Sequence, residues 1–170
     1  QAVMGYLGRD LLTAFAIGAV FAWGVHSSVA AVLLFVTLAG QGILPAPAAG
    51  VMILGANLGG AFIAFILTLS APIASRRMIM ANLILRGGGA IFAMLLIAGA
   101  PDLIEYLGKT PTQQTINLHL VFNLALALLA LLLASNAATA QSTMPSCAGK
   151  NTSNWSACVG TLTSGKTILY

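Results

Sequence analysis

Long apolar stretches separated by short polar connections make up the first 134 residues of the chain. Four such stretches cover residues 11–40, 46–70, 78–100 and 116–134. An α-helix rises about 1.5 Å per residue, so roughly 20 apolar residues are needed to cross the hydrocarbon of a bilayer. The pattern therefore predicts an all-helical membrane protein that crosses the bilayer several times, with residues 1–134 as its membrane domain.

Two of these stretches are interrupted by residues that do not suit a continuous apolar helix. Residues 11–40 are too long for one straight span and contain His26, Ser27 and Ser28 in the sequence AWGVHSSVAAVLL. Residues 46–70 contain GANLGG, in which Asn57 is flanked by glycines that free the backbone from helical geometry. We expect both stretches to form discontinuous, hairpin-like helices.

The composition supports a membrane location and argues against nucleic-acid binding. Hydrophobic residues make up 59% of the chain and charged residues only 6%, and the mean hydropathy is +0.97. The 7 Lys and Arg residues exceed the 3 Asp and Glu residues, but they are scattered through short connections and form no basic stripe. Arg76 and Arg77 mark the connection at residues 70–77 as cytoplasmic, which predicts a multi-pass protein of the bacterial inner (plasma) membrane.

Residues 135–170 differ from the rest of the chain because they are polar and rich in small residues. They contain too few large apolar side chains to build a core, so we expect a separate, flexible tail. If the last apolar stretch crosses the bilayer, the tail returns to the cytoplasm, where Cys147 and Cys158 stay reduced rather than forming a disulfide. No histidine accompanies these cysteines, so a zinc site is not expected.

The polar groups inside the apolar stretches point to a transport function. A polar group at membrane depth is costly unless it is buried in protein or lines a wet cavity, which makes the ionisable His26 a candidate functional residue. Serine pairs also have a structural use, because small residues let helices approach closely. Two interrupted spans, however, are typical of transporters, in which broken helices offer N–H groups to anions and free carbonyls to cations. The spacing thus predicts an ion-coupled carrier without naming its ion.

Four segments together resemble the sodium-dependent phosphate cotransporter family. They are GAVFAWGVHSSVAAVLL (residues 18–34), ILGANLGG (53–60), SRRMIMANLILRGGGAI (75–91) and NLHLVFNLALALL (117–129). The resemblance runs from residue 5 to residue 134, with the segments in the order that the family has. It implies a secondary active transporter that takes up inorganic phosphate, with sodium as the coupling ion and no other cofactor.

The resemblance also implies the residues of a sodium and phosphate site. His26 stands in the place of the family's glutamine, and Ser27 and Ser28 match the first two serines of its triplet. The full set implied for substrate and ion binding is His26, Ser27, Ser28, Gly55, Asn57 and Gly59. Within this set, Na⁺ is expected at Ser27, Ser28 and Asn57.

The chain departs from the family pattern at two hydroxyl positions and at the glutamine. Val29 replaces the third serine and Gly60 replaces a threonine, so two hydroxyl ligands are lost. His26 titrates near neutral pH, which an amide does not, and its protonated form would favour an anion and repel Na⁺. We therefore expect transport to change between about pH 6 and 7.5.

Four further polar residues lie inside the last two apolar stretches as possible supporting groups. Asn82 and Arg86 belong to residues 78–100, and His119 and Asn123 belong to residues 116–134. We expect His119 and Asn123, spaced i and i+4, to form hydrogen bonds between helices. Arg86 lies too deep to reach the interface unless its helix is tilted, so it either pairs with a structural partner or attracts phosphate as a fixed positive charge.

The sequence contains one set of the family's motifs, which raises the question of whether it works with a partner. Members of the family carry two such repeats of opposite topology, so we expect this chain to be part of a longer carrier or to work with a second repeat or a second copy of itself. The alternative is a structural or assembly subunit that transports nothing, which intact helices at both interruptions would favour. An intramembrane hydrolase is disfavoured, because His26 and Ser27 diverge as helix neighbours and no buried acid orients the imidazole.

Overall fold

The computed structural model describes residues 10–142, in which every regular element is helical. The elements are α1 (Leu11–Val25), α2 (Ser28–Gly40), α3 (Ala46–Leu67), α4 (Ile73–Gly99), a short 3₁₀ helix (Pro101–Leu107) and α5 (Pro111–Ser142). The expected all-helical fold is thus confirmed for the described residues. Cys147 and Cys158, with most of the polar tail to which they belong, lie outside them.

The chain divides into two units, residues 1–130 and residues 131–170. The first unit contains α1 to α4, the 3₁₀ helix and α5 as far as Ala130, and the second contains the described end of α5. Helical conformation continues past residue 135, where the polar composition begins, and extends to Ser142, the last residue that the structure describes. All the candidate site residues belong to the first unit.

Within residues 10–142, three helices are long and apolar enough to cross a membrane: Ala46–Leu67, Ser75–Gly99 and Pro111–Ser135. Helices α1 and α2 are also apolar, but they have only 15 and 13 residues, whereas a span needs about 20. The first apolar stretch of the sequence therefore forms two short helices rather than one span, as its polar interruption predicts.

Helix α3 is the central element of the first unit. In its apolar segment, 56% of the residues are buried inside the structure, compared with 17% in the apolar segment of α4 and 6% in that of α5. Helices α1, α2 and α4 and the 3₁₀ helix all contact it. Proline defines its start, since Pro45 precedes the helix and Pro47 lies in the first turn, where its missing N–H group has no helical partner to lose.

The expected break at GANLGG is wrong, because α3 is a continuous helix through residues 55–60. The glycines of this segment serve close packing instead. A Cβ atom added at Gly55 would overlap the carbonyl oxygen of Phe15, and one added at Gly59 would overlap the carbonyl oxygen of Ala19. Small residues four apart let two helix backbones touch in this way in membrane proteins. The motif therefore joins α3 to α1.

A tight loop at residues 41–45 joins α2 to α3. Gly42 adopts a positive φ of 69°, and two N–H groups of the loop donate to the Leu38 carbonyl at 3.0 and 3.2 Å. At the far end of the pair, Ser28 at the start of α2 lies against Gly60, which is in the last third of α3. Helices α2 and α3 thus form an antiparallel hairpin. The break that precedes α2 packs against α3 at Gly60.

Candidate functional site

The interruption between α1 and α2 consists of two residues that cap the two helices. His26 ends α1 in the left-handed conformation, with φ 53° and ψ 26°, and its N–H donates to the Trp23 carbonyl at 3.3 Å. Its Nδ1 atom lies 3.1 Å from the carbonyl oxygen of Gly24. Ser27 then starts α2, because its Oγ atom accepts the N–H of Ala30 at 3.2 Å. The predicted discontinuity is confirmed at this position.

Ser28, the first residue of α2, lies against α3. A Cβ atom added at Gly60 would be 3.0 Å from the Cβ atom of Ser28 and 3.2 Å from its Oγ atom. A side chain at position 60 would therefore push the start of α2 away from α3. Because this position is glycine and not threonine, Ser28 can lie close to α3. Ser27 and Ser28 are partly buried, and His26 is exposed on the surface of the chain.

Asn57 is buried in α3, with 2% of its surface exposed. Its Nδ2 atom donates to the carbonyl of Ile53 at 3.0 Å, one turn earlier in the same helix. Gly55 and Gly59 on either side of it contact the backbone of α1. Because α3 is regular here, its carbonyl groups are engaged in helical hydrogen bonds rather than free for a cation. Asn57 thus lies in a continuous helix, three residues before the Gly60 that contacts the break between α1 and α2, and not in a break of its own.

A polar network joins α4 to α5. The Nη2 atom of Arg86 donates to Oδ1 of Asn123 at 2.7 Å. The Nδ2 atom of Asn123 donates to the carbonyl of His119 at 2.8 Å and lies 3.3 Å from Nδ1 of the same histidine. The expected hydrogen bond between helices is confirmed for Asn123, whereas the recorded bonds of His119 stay within α5. Asn82, one turn before Arg86, is exposed on α4.

The break and the hydrogen-bond network of Arg86 flank the same stretch of α3. On one side of α3, Gly60 faces Ser28. On another side, a Cβ atom added at Gly87 of α4 would lie 2.9 Å from the Cδ1 atom of Leu58, and Arg86 precedes Gly87. We call these polar residues the polar layer; they are Ser27, Ser28, Asn57, Arg86, His119 and Asn123. The sequence indicated each member separately, but only the fold brings the break and Arg86 to neighbouring positions on α3.

A cavity of about 540 Å³ lies near the opposite end of α3 and was not foreseen from the sequence. Ala46 at the start of α3 lines it, together with Asp102 and Glu105 of the 3₁₀ helix and with Lys109. The signal for it was the concentration of two of the three acidic residues in one connection. Among residues 10–142, no group of three His, Cys, Asp or Glu side chains could hold a metal ion.

The helices and the polar layer define an all-helical membrane protein with polar groups at the depth of its core. Its sequence is similar to the Salmonella typhimurium protein named "Putative inorganic phosphate export protein YjbB", with 32% identity over 124 residues that cover 73% of this chain and 23% of the relative. The Escherichia coli K12 protein of the same name is 31% identical over 131 residues, which cover 77% of this chain and 24% of that protein.

A third relative is "Uncharacterized protein YqeW" of Bacillus subtilis, with 26% identity over 127 residues, 75% of this chain and 41% of the relative. The chain spans about a quarter of the length of the two phosphate export proteins. No family model and no solved structure matches it. The names of the two phosphate export relatives describe transport proteins and not enzymes.

Proposed function

We propose that this chain is the membrane-spanning part of a phosphate carrier in the bacterial plasma membrane. The observation that carries the proposal is its similarity, over 73% and 77% of the chain, to two proteins named for inorganic phosphate export. The polar layer supports it, because polar groups at membrane depth mark substrate pathways. The resemblance of the sequence to sodium-dependent phosphate cotransporters names the same substrate.

The break between α1 and α2 is the binding element in this proposal. The start of α2 carries partial positive charge and N–H groups that suit an anion, and the hydroxyl of Ser28 adds a donor at the same place. The end of α1 at Val25 carries partial negative charge and carbonyl groups that suit a cation. One break thus offers both poles, with phosphate at the start of α2 and Na⁺ at the end of α1 beside the hydroxyls of Ser27 and Ser28.

The direction of phosphate transport depends on whether the movement of phosphate is coupled to that of sodium. The names of the two relatives indicate export, whereas the resemblance to cotransporters implies uptake. A carrier is reversible, so its net direction follows the gradients of the species it moves together. An inward sodium gradient drives uptake through a coupled carrier, and a high phosphate concentration inside the cell drives export through an uncoupled one. Sodium dependence therefore decides the direction.

The chain works in this proposal with a second half. It spans about a quarter of its two phosphate export relatives, and it has three helices able to cross a membrane in the described part. A site between two halves is the usual arrangement of carriers with repeated architecture. The partner is either a further segment of a longer chain or a second copy of this one.

The test is the movement of radiolabelled phosphate in proteoliposomes that contain the chain. Influx is measured with and without an inward sodium gradient, and efflux is measured from vesicles loaded with phosphate. The double variant Ser27→Ala/Ser28→Ala removes both hydroxyls of the break. Thr37→Val is the matched control, because it removes a hydroxyl from the same helix that donates to the Leu33 carbonyl at 2.7 Å, away from the break.

Sodium-dependent influx that is lost in the double variant and kept in Thr37→Val would support a coupled carrier that assembles from copies of this chain. Efflux without a sodium requirement, lost in the same variant, would support an exporter. The alternative function is a structural or assembly subunit, which the intact helix α3 favours at one of the two interruptions. Absence of both fluxes with the folded chain would rule out a carrier assembled from copies of this chain, and would leave a half-unit that needs the rest of a longer carrier or the structural subunit.

A further inference from the structure

We propose that Arg86 forms an oxyanion subsite for phosphate on the α4 side of the polar layer, held in position by Asn123. This inference rests on the proposed function and deepens it. Arg86 is the middle residue of the 27-residue helix α4, so each end of the helix is roughly 20 Å away. The guanidinium group therefore stays at membrane depth instead of reaching an interface.

The charge of Arg86 has no carboxylate to neutralise it in the membrane. The chain contains 3 acidic residues, which are Asp10, Asp102 and Glu105. Asp10 caps the start of α1, and the other two belong to the 3₁₀ helix after α4. Within residues 10–142, the hydrogen bond from Nη2 to Asn123 is the one bond of the Arg86 side chain. An arginine at mid-span without a counter-charge is costly, and an anion on the transport path would supply that charge.

The remaining donors of Arg86 match an oxyanion in geometry. A guanidinium group has five N–H donors in a planar fork, and it binds phosphate through two parallel hydrogen bonds. Asn123 takes one donor of Arg86 at 2.7 Å, and it is itself fixed by the His119 carbonyl at 2.8 Å. The side chain is only partly buried. Asn123 thus orients the fork through a neutral amide, which leaves the full positive charge for a ligand.

A purely structural role is the competing explanation, and one substitution separates the two. Asn123→Asp keeps the shape of the side chain and its acceptor oxygen toward Arg86; it loses the Nδ2 donor to the His119 carbonyl and places a negative charge against the guanidinium. A structural hydrogen bond becomes stronger in this variant, because a charged pair replaces a neutral acceptor. An oxyanion subsite is lost, because the aspartate neutralises the charge that phosphate requires.

The experiment measures equilibrium binding of radiolabelled inorganic phosphate to the chain of residues 1–170 in detergent micelles. Gln113→Glu is the matched control, because it adds the same charge to α5 at an exposed position whose Oε1 atom accepts the Lys109 N–H at 3.1 Å. We expect Asn123→Asp and Arg86→Gln to weaken phosphate binding at least tenfold, and Gln113→Glu to change it less than twofold. Arg86→Lys keeps the charge without the fork and should fall between wild type and Arg86→Gln.

Circular dichroism of each variant verifies that the helices are intact. If Asn123→Asp does not fold, the pair Arg86→Gln and Arg86→Lys decides, since either side chain can donate to Asn123 but only lysine retains the charge. Equal phosphate affinity of wild type and Arg86→Gln overturns the inference and leaves the carrier standing. Absence of phosphate binding to the wild-type chain overturns both. Displacement of labelled phosphate by anionic phospholipid at much lower concentrations than by unlabelled phosphate would make a lipid headgroup the ligand and would also overturn it.

Discussion

The close contact between α1 and α3 predicts that alanine at position 55 destabilises the protein, although alanine is the better helix former. An added Cβ atom would lie 3.0 Å from the backbone nitrogen of Ala19 and from the carbonyl carbon of Phe15, and closer still to the Phe15 carbonyl oxygen. Carbon atoms pack best at about 3.5–4.0 Å. The two helices must therefore separate by an amount on the order of an ångström, because the obstacle is backbone and cannot rotate away.

The expected magnitude follows from two opposing terms. Separation of the helices also loosens the contacts of Gly59 with Ala19 and of Gly18 with Met52 on the same interface. Overpacking of this kind costs about 1–3 kcal/mol. The higher helix propensity of alanine compared with glycine offsets about 1 kcal/mol of that cost at most. We expect Gly55→Ala to lower the free energy of unfolding by up to about 2 kcal/mol.

The assay is unfolding in mixed micelles with rising sodium dodecyl sulfate, followed by circular dichroism. Gly88→Ala in α4 is the control, because nothing lies within 4 Å of a Cβ atom added there, and it should raise the free energy of unfolding by about 0.5–1 kcal/mol. If Gly55→Ala proves as stable as Gly88→Ala, the backbone contact is wrong and the glycine serves a flexible break, as the sequence first indicated.

Three further predictions concern the polar layer and the break. Ser27→Ala removes the cap of α2 and should lower the unfolding free energy by about 1 kcal/mol, and Ser27→Asp should restore it in the same micelle assay. His26→Gly should be at least as stable as wild type at φ 53°, while His26→Val should lower the free energy of unfolding by about 1–2 kcal/mol. Asn57→Leu should unfold within about 1 kcal/mol of wild type yet lose phosphate flux in proteoliposomes.

Local patterns were sufficient to predict the helices and the first break. Apolar stretches of span length define α3, α4 and α5, and a serine after a polar residue is a strong start signal for a helix, which Ser27 provides for α2. Pro72 and Pro111 account for the earlier starts of α4 and α5 than hydropathy alone indicates. These features depend on a few neighbouring residues, so the sequence contains them directly.

The second interruption shows what local patterns leave open. Glycine permits a broken helix, but it also permits contact between two backbones, and GANLGG fits either use. Contact with the backbone of Phe15 and Ala19, about 40 residues earlier in the chain, determines that the glycines serve helix packing. The pairing of Arg86 with Asn123 is likewise separated by 37 residues. Contacts of this range depend on how the helices are arranged, which no single segment determines.

The continuity of α3 changes which ion we expect this chain to bind on its own. A second break would have exposed carbonyl groups beside Asn57, and these would have served Na⁺; in the regular helix they are engaged. The donors for an anion do not depend on that break, because the start of α2 and the fork of Arg86 are both in place. Phosphate binding to this chain alone should therefore persist when sodium is replaced by potassium, and a sodium requirement should arise only in the assembled carrier. A tenfold loss of phosphate affinity in potassium would show that the chain holds a complete cation site and would refute this reasoning.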